Sequence, residues 1–156
     1  MDTNNAIGIH GANLSEGRFS KERTIMKVLV VDDNRFLAAT IQEILENDGL
    51  EVRSAKDGVD GYSAYLHFKP DIVITDIQMP RENGLEMMGH IRTHEPMIRT
   101  IYMSGDIDSY RPLLKEEKRK YHVAFFEKPF SIESLKKAMF EPKTGLLQER
   151  GALSSQ

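Results

Sequence analysis

The chain has 156 residues, a formal net charge of −3, 40% hydrophobic and 29% charged residues, and no cysteine. That length suits one domain with modest tails. The charge excludes bulk electrostatic attraction to nucleic acid or anionic membranes, and the missing cysteines exclude disulfides, thiolate metal sites and cysteine nucleophiles. No apolar run approaches a membrane span, and Ala6-Ile7-Gly8-Ile9 is too short for a signal-peptide core. The expectation is a cytoplasmic protein without direct nucleic-acid or membrane contacts.

Residues 1–25 carry Asn, Gly, Ser and charge with no apolar periodicity and read as a flexible arm. From residue 26 the pattern changes. Lys27-Val28-Leu29-Val30-Val31 predicts a buried strand, and Leu37, Ile41, Ile44 and Leu45 fall at helical spacing up to Asp48-Gly49. Glu51–Ala55 predicts a second strand. A second helix follows over Gly58–Phe68 with Tyr62, Tyr65 and Leu66 on its apolar side. Ile72-Val73-Ile74-Thr75 is a β-favouring run closed by Asp76, a strand buried on both faces. Leu85, Met88 and Ile91 stripe a third helix, Thr100–Ser104 a fourth strand, and 109–121 a charged fourth helix. Ala124–Glu127 forms a fifth strand and Ser131–Phe140 a last helix with Ile132, Leu135 and Met139 inward, stopped by Pro142. Residues 141–156 read as a flexible tail. Strands alternating with helices imply a doubly wound α/β sandwich around a five-stranded parallel sheet of order 2-1-3-4-5, in one domain over 26–140.

In that topology the ends of the strands meet at one carboxyl edge, where open α/β sheets bind ligands. Asp32 and Asp33 end strand 1, Asp76 ends strand 3, Ser104 ends strand 4, and strand 5 runs into Lys128-Pro129. Three carboxylates at one edge repel unless a cation neutralises them, and hard oxygen donors in a compact site favour Mg²⁺. The set suits phosphoryl transfer onto a carboxylate. That reaction needs in-line placement and neutralised equatorial oxygens rather than covalent assistance. Asp76 is then the nucleophile, and Mg²⁺, Lys128 and the Ser104 hydroxyl each take one oxygen.

Four fragments in order carry a resemblance: Val30-Val31-Asp32-Asp33-Asn34, Thr75-Asp76-Ile77-Gln78-Met79-Pro80 with Gly84-Leu85-Glu86, Met103-Ser104-Gly105, and Phe125-Phe126-Glu127-Lys128-Pro129-Phe130. Together they make residues 26–140 resemble the receiver domains of two-component response regulators, flavodoxin-like in fold, including the single-domain chemotaxis type. The resemblance implies that Asp76 is the phospho-acceptor. It implies Asp33 as a direct Mg²⁺ ligand, Asp32 as the holder of a metal-bound water, and Gln78 as a ligand through its backbone carbonyl. Ser104 becomes the switch hydroxyl and Lys128 the lysine paired with the phosphoryl group. Phe125 falls on the aromatic switch position, as Phe rather than Tyr, and Pro129 on a proline whose preceding bond is usually cis.

The implied partners are a sensor histidine kinase or phosphotransfer protein as donor and a protein effector downstream. Signalling, and homodimerisation if it occurs, would run through the face of helix 4, strand 5 and helix 5. The activity is that of a signalling phospho-acceptor, catalytic only toward its own phosphorylation and dephosphorylation. The rival reading is a phosphorylation-independent adaptor on the same fold. Helix 4, with only Tyr110, Leu113, Leu114 and Tyr121 as apolar residues, is expected to be the least firmly packed helix. Gln78 and Asp106 are expected beside the water path to the phosphoryl group. His90 and His94, at metal-ligand spacing, read as a solvated helix end, because no third ligand accompanies them.

Overall fold

A computed structural model describes residues 24–142. The expected arm and tail lie outside the described residues, except for Thr24, Ile25, Glu141 and Pro142. Among the described residues, strands β1 (Lys27–Val31), β2 (Glu51–Ala55), β3 (Ile72–Asp76), β4 (Arg99–Ser104) and β5 (Val123–Glu127) alternate with five helices. These are α1 (Arg35–Asn47), α2 (Gly58–Phe68), α3 (Gly84–Ile91), α4 (Ile107–Lys120) and α5 (Ile132–Phe140). All four strand pairings are parallel and the order is β2-β1-β3-β4-β5. The predicted topology is the observed one.

Period-2 alternation builds the two cores. Val28 and Val30 of β1, Ile72 and Ile74 of β3, and Ile101 and Met103 of β4 point to one face. There they pack on Ala38, Ile41 and Leu45 of α1 and Leu135 and Met139 of α5. Leu29, Val31, Val73 and Tyr102 point to the other, against Tyr65 of α2, Met87, Met88 and Ile91 of α3, and Ile107 and Leu114 of α4. Covered on both faces, β1 and β3 are apolar almost throughout, as parallel central strands must be.

Polar N-caps set where each helix starts, just beyond the carboxyl edge. The side chains of Asn34, Asp57, Asn83, Asp106 and Ser131 accept from backbone N–H groups of the first turns of α1 to α5. At Asn83 a capping box forms: Glu86 N–H donates to Asn83 at 2.8 Å and Asn83 N–H to Glu86 at 3.1 Å. Gly49, at φ +90°, supplies the left-handed turn after α1.

Two local expectations change and one stands. Leu66 is exposed; α2 buries Tyr65, as expected, with Phe68 in place of Leu66, because its inward face is set by contact with β1 and α3. The fourth helix begins two residues earlier than expected. Asp106 caps it and Ile107 enters the core, so it holds an apolar anchor that its sequence seemed to lack. As expected, His90 and His94 mark a solvated helix end: the third helix stops at Ile91, with His90 exposed in its last turn and His94 exposed just beyond it. His90 Nδ1 lies 2.9 Å from Glu82, and His94 Nε2 2.8 Å from the Tyr62 hydroxyl.

Candidate functional site

Asp32, Asp33 and Asp76 converge at the carboxyl edge, each offering a carboxylate oxygen within 4.8 Å of the others. Two strands deliver them. The Asp32 amide continues the β1–β2 ladder by donating to Ala55 O at 3.0 Å. The Asp32 Oδ1 then accepts the Asn34 amide at 2.8 Å, which turns the chain into α1 and leaves Oδ2 facing inward. That oxygen meets Lys128 Nζ at 2.9 Å, and Asp76 Oδ2 lies 3.3 Å from the same nitrogen. Lys128 is aimed from across two strands because its amide donates to Ser104 O at 2.8 Å, extending the β4–β5 ladder. The peptide bond that follows, Lys128–Pro129, is cis.

The electrostatics follow from burial. Asp32 is enclosed and Asp76 nearly so. Burial first, then the charge of Asp32, pushes the Asp76 carboxyl above the usual carboxylate range, against the pull of Lys128. Burial draws the Lys128 ammonium down, but its bond to Asp32 and the charges of Asp32 and Asp76 outweigh that and raise it. Lys128 therefore stays cationic beside an acid cluster whose negative charge it offsets only in part.

The other expected site residues lie on the neighbouring strands and loops. Ser104 is fully buried one strand over, and its Oγ accepts the Asp106 amide at 2.9 Å. Gln78 is exposed two residues beyond Asp76. Phe125 is half-buried, opposite Tyr102 on the neighbouring strand, with the Lys118 ammonium 5.8 Å from its ring centroid. Asp106 directs its carboxylate back onto Ser109, whose hydroxyl lies 2.5 Å away, as the cap of α4.

Two supports escaped the sequence reading. Gly84 packs against the back of Asp76: its amide donates to Ile77 O at 2.9 Å, and a Cβ there would run into the Asp76 carbonyl oxygen. Only its place eight residues after Asp76 hinted at it. Arg81, at φ +67°, clips the β3–α3 loop to α2. Its guanidinium reaches Asp57 at 2.8 Å and Asp60 at 2.9 Å, beside Gly58 N–H donating to Glu82 O at 3.0 Å. Burial pushes the Asp57 carboxyl up, but the Asp60 amide and Arg81 outweigh it and hold it low. The stabilisation from this charged hold is complete above the normal carboxylate range and is lost as pH falls through the lowered Asp57 pKa beneath it.

A model of the response regulator receiver domain matches residues 28–140. The chain belongs to that family. It is 32% identical over 117 residues to the chemotaxis protein CheY of Listeria monocytogenes, covering 73% of this chain and 98% of that one. It is 26% identical over 115 residues to sporulation initiation phosphotransferase F of Bacillus subtilis, covering 72% and 90%. Against the protein-glutamate methylesterase/protein-glutamine glutaminase of Haloarcula marismortui it is 32% identical over 105 residues, yet spans 28% of that protein's length. Among solved structures, response regulator TrrA of Thermotoga maritima, in complex with Mg²⁺-BeF, superposes with a TM-score of 0.65 at 28% identity, covering 74% and 96%. A receiver domain protein from Clostridium thermocellum superposes at 0.64 with 26% identity, covering 83% and 99%. This receiver domain is a module of two-component signalling. Among its described residues no helix is long and apolar enough to cross a membrane.

Proposed function

We propose that this receiver accepts a phosphoryl group on Asp76 from a histidine kinase or a phosphotransfer protein, in a Mg²⁺-dependent step, and loses it by hydrolysis. The observation that carries this reading is the Asp32–Asp33–Asp76 cluster with Lys128 Nζ 2.9 Å from Asp32 and 3.3 Å from Asp76. An Asp76 carboxylate oxygen forms the new P–O bond as the donor's P–N bond breaks, and the electron pair leaves with the imidazole. Lys128 neutralises one phosphoryl oxygen and the Ser104 hydroxyl donates to another.

The donor set fits a hard divalent cation. Asp33 and Asp76 would hold it with the Gln78 carbonyl, and Asp32 would hold its water. Bound there, Mg²⁺ neutralises charge on the phosphoryl oxygens and between the acids. The likeness to TrrA, whose structure contains Mg²⁺-BeF, supports the same assignment. Output is proposed through the face of α4, β5 and α5, with Phe125 as its aromatic element, to a protein effector or a second copy. A site that catalyses only its own phosphorylation, in a cytoplasmic protein, completes the reading.

The test is direct. Acetyl phosphate with Mg²⁺ should add one phosphate to the intact mass, and excess EDTA should suppress the gain. A protein that gains nothing under saturating conditions sinks the proposal and leaves the adaptor. Lys128→Met should separate the two charges the site handles. Removing the ammonium should tighten Mg²⁺ binding by at least about 5-fold, since a unit charge near 4 Å is worth roughly 1 kcal/mol even in bulk water and more at a partly wetted site. Beryllofluoride binding should weaken by at least as much. Calorimetric titration that moves both affinities in the same direction would contradict these roles.

A further inference from the structure

Hydrogen bonds tie helix α4 to β4 near both of its ends, and one of them is to the Ser104 hydroxyl itself. At its N-terminus the Asp106 amide donates to Ser104 Oγ at 2.9 Å. Toward its C-terminus Glu117 Oε1 accepts the Tyr102 hydroxyl at 2.7 Å and is paired with Arg92 Nη1. Arg92, at the C-cap of α3, also reaches Thr100 Oγ1 at 3.3 Å and stacks its guanidinium 4.0 Å from the Tyr121 ring centroid. Between the two tethers Pro112 removes an amide donor from the helix interior.

This cluster is ill suited to stabilise the fold. The Arg92 side chain is 6% exposed, and its buried Nε has no hydrogen-bond partner among the described residues. A buried ion pair with an unsatisfied donor returns little net stability against its desolvation cost. What it fixes is position. It ties α4 to Tyr102, two residues before Ser104 on one strand and opposite Phe125 on the next. Turning the Ser104 hydroxyl to donate to a phosphoryl group on Asp76 would draw away the oxygen that accepts the Asp106 amide, leaving Glu117 to hold α4 toward its other end.

We infer that Glu117, with Arg92 and Tyr102, is a latch that holds α4 in the arrangement seen here and opposes occupancy of Asp76 by a phosphoryl group. The inference rests on Asp76 being the acceptor. Coupling is reciprocal: what loosens the latch favours the occupied site, and what occupies the site loosens the latch. Glu117 and Tyr102 thus act through α4 and Ser104, as positioning residues.

The probe is beryllofluoride with Mg²⁺, titrated into the full chain and followed by fluorine NMR, alongside amide exchange over residues 107–120. Tyr102→Phe keeps the ring and loses one bond, and Glu117→Gln loses the ion pair. Both should bind beryllofluoride about 5–10-fold more tightly than wild type, at the low end of site-to-site couplings, and both should exchange α4 amides faster. If Glu117→Gln does not fold, because Arg92 is left buried and uncompensated, Tyr102→Phe decides alone. Wild-type binding with unchanged or weaker binding by Tyr102→Phe overturns the latch and leaves the acceptor standing. A wild type that binds no beryllofluoride overturns the acceptor and the latch with it.

Discussion

Asp76→Asn should lose all phosphorylation by acetyl phosphate and yet melt higher than wild type at neutral pH without metal. The chemical loss follows from removing the carboxylate that forms the P–O bond, because no neighbouring acid shares its position at the end of β3. The gain in stability follows from the raised Asp76 carboxyl, pushed up by burial and then by Asp32. For an acid whose folded pKa is raised, the stabilising contribution is complete below its unfolded value and is lost as pH climbs through the folded one. Above the ordinary carboxylate range Asp76 ionises less readily in the folded chain than in the unfolded one, a penalty on the wild type that Asn does not carry. A rise of about 3–6 °C in Tm is expected, on the scale of single substitutions in a domain of this size. The difference should shrink as pH falls toward the ordinary carboxylate pKa of about 4. Saturating Mg²⁺ should narrow it as well, by stabilising the wild type. Thermal melts of the two proteins across that pH range check the sign. If Asn melts lower at neutral pH, attraction to Lys128 outweighs burial and repulsion, and this account of the site's charge is wrong.

The fold and the acid cluster were legible because both are written in short-range pattern. Val28–Val31 and Ile72–Thr75 announce buried parallel strands, and parallel topology then carries Asp32, Asp33, Asp76, Ser104 and Lys128 to one edge whatever the loops do. What stayed hidden depends on contacts across sequence distance. The pairing of Arg92 with Glu117 spans 25 residues and that of Tyr102 with Glu117 spans 15. Within the charged run from Lys115 to Lys120, nothing marks Glu117 apart from Glu116, which pairs outward with Arg119 and Lys120. The start of α4 lies before the expected Ser109 because the Asp106 side chain caps the helix and Ile107 enters the core, a contact that no local pattern marks. The hold of Arg81 on Asp57 was equally invisible, since nothing local assigns an Arg a positive φ.

Gly84→Ala should be among the most damaging single-atom changes in the domain. A Cβ at this position would overlap the Asp76 carbonyl oxygen and come within 3.1 Å of Thr75 Oγ1 and 3.2 Å of the Asp76 carbonyl carbon. The obstacle is backbone at the acceptor itself, so no rotamer change relieves it. Thr75 Oγ1 already sits 2.8 Å from the same carbonyl oxygen, which leaves the strand end little room to retreat. A loss of roughly 2–4 kcal/mol is expected, at or above the usual cost of overpacking. Any shift of Asp76 away from Lys128 and Asp33 should slow phosphorylation by at least about tenfold, because transfer depends on placement within fractions of an ångström. Gly89→Ala is the matched control. It lies in the same helix, and its added methyl meets nothing within 4 Å. There the same change should stabilise by roughly 0.5–1 kcal/mol through helix propensity and leave phosphorylation untouched. Opposite signs five residues apart, read by denaturant unfolding and by the rate of mass gain from acetyl phosphate, would trace the constraint to the approach of Gly84 to Asp76. Equal effects at both positions would trace it to helix propensity and remove Gly84 from the site.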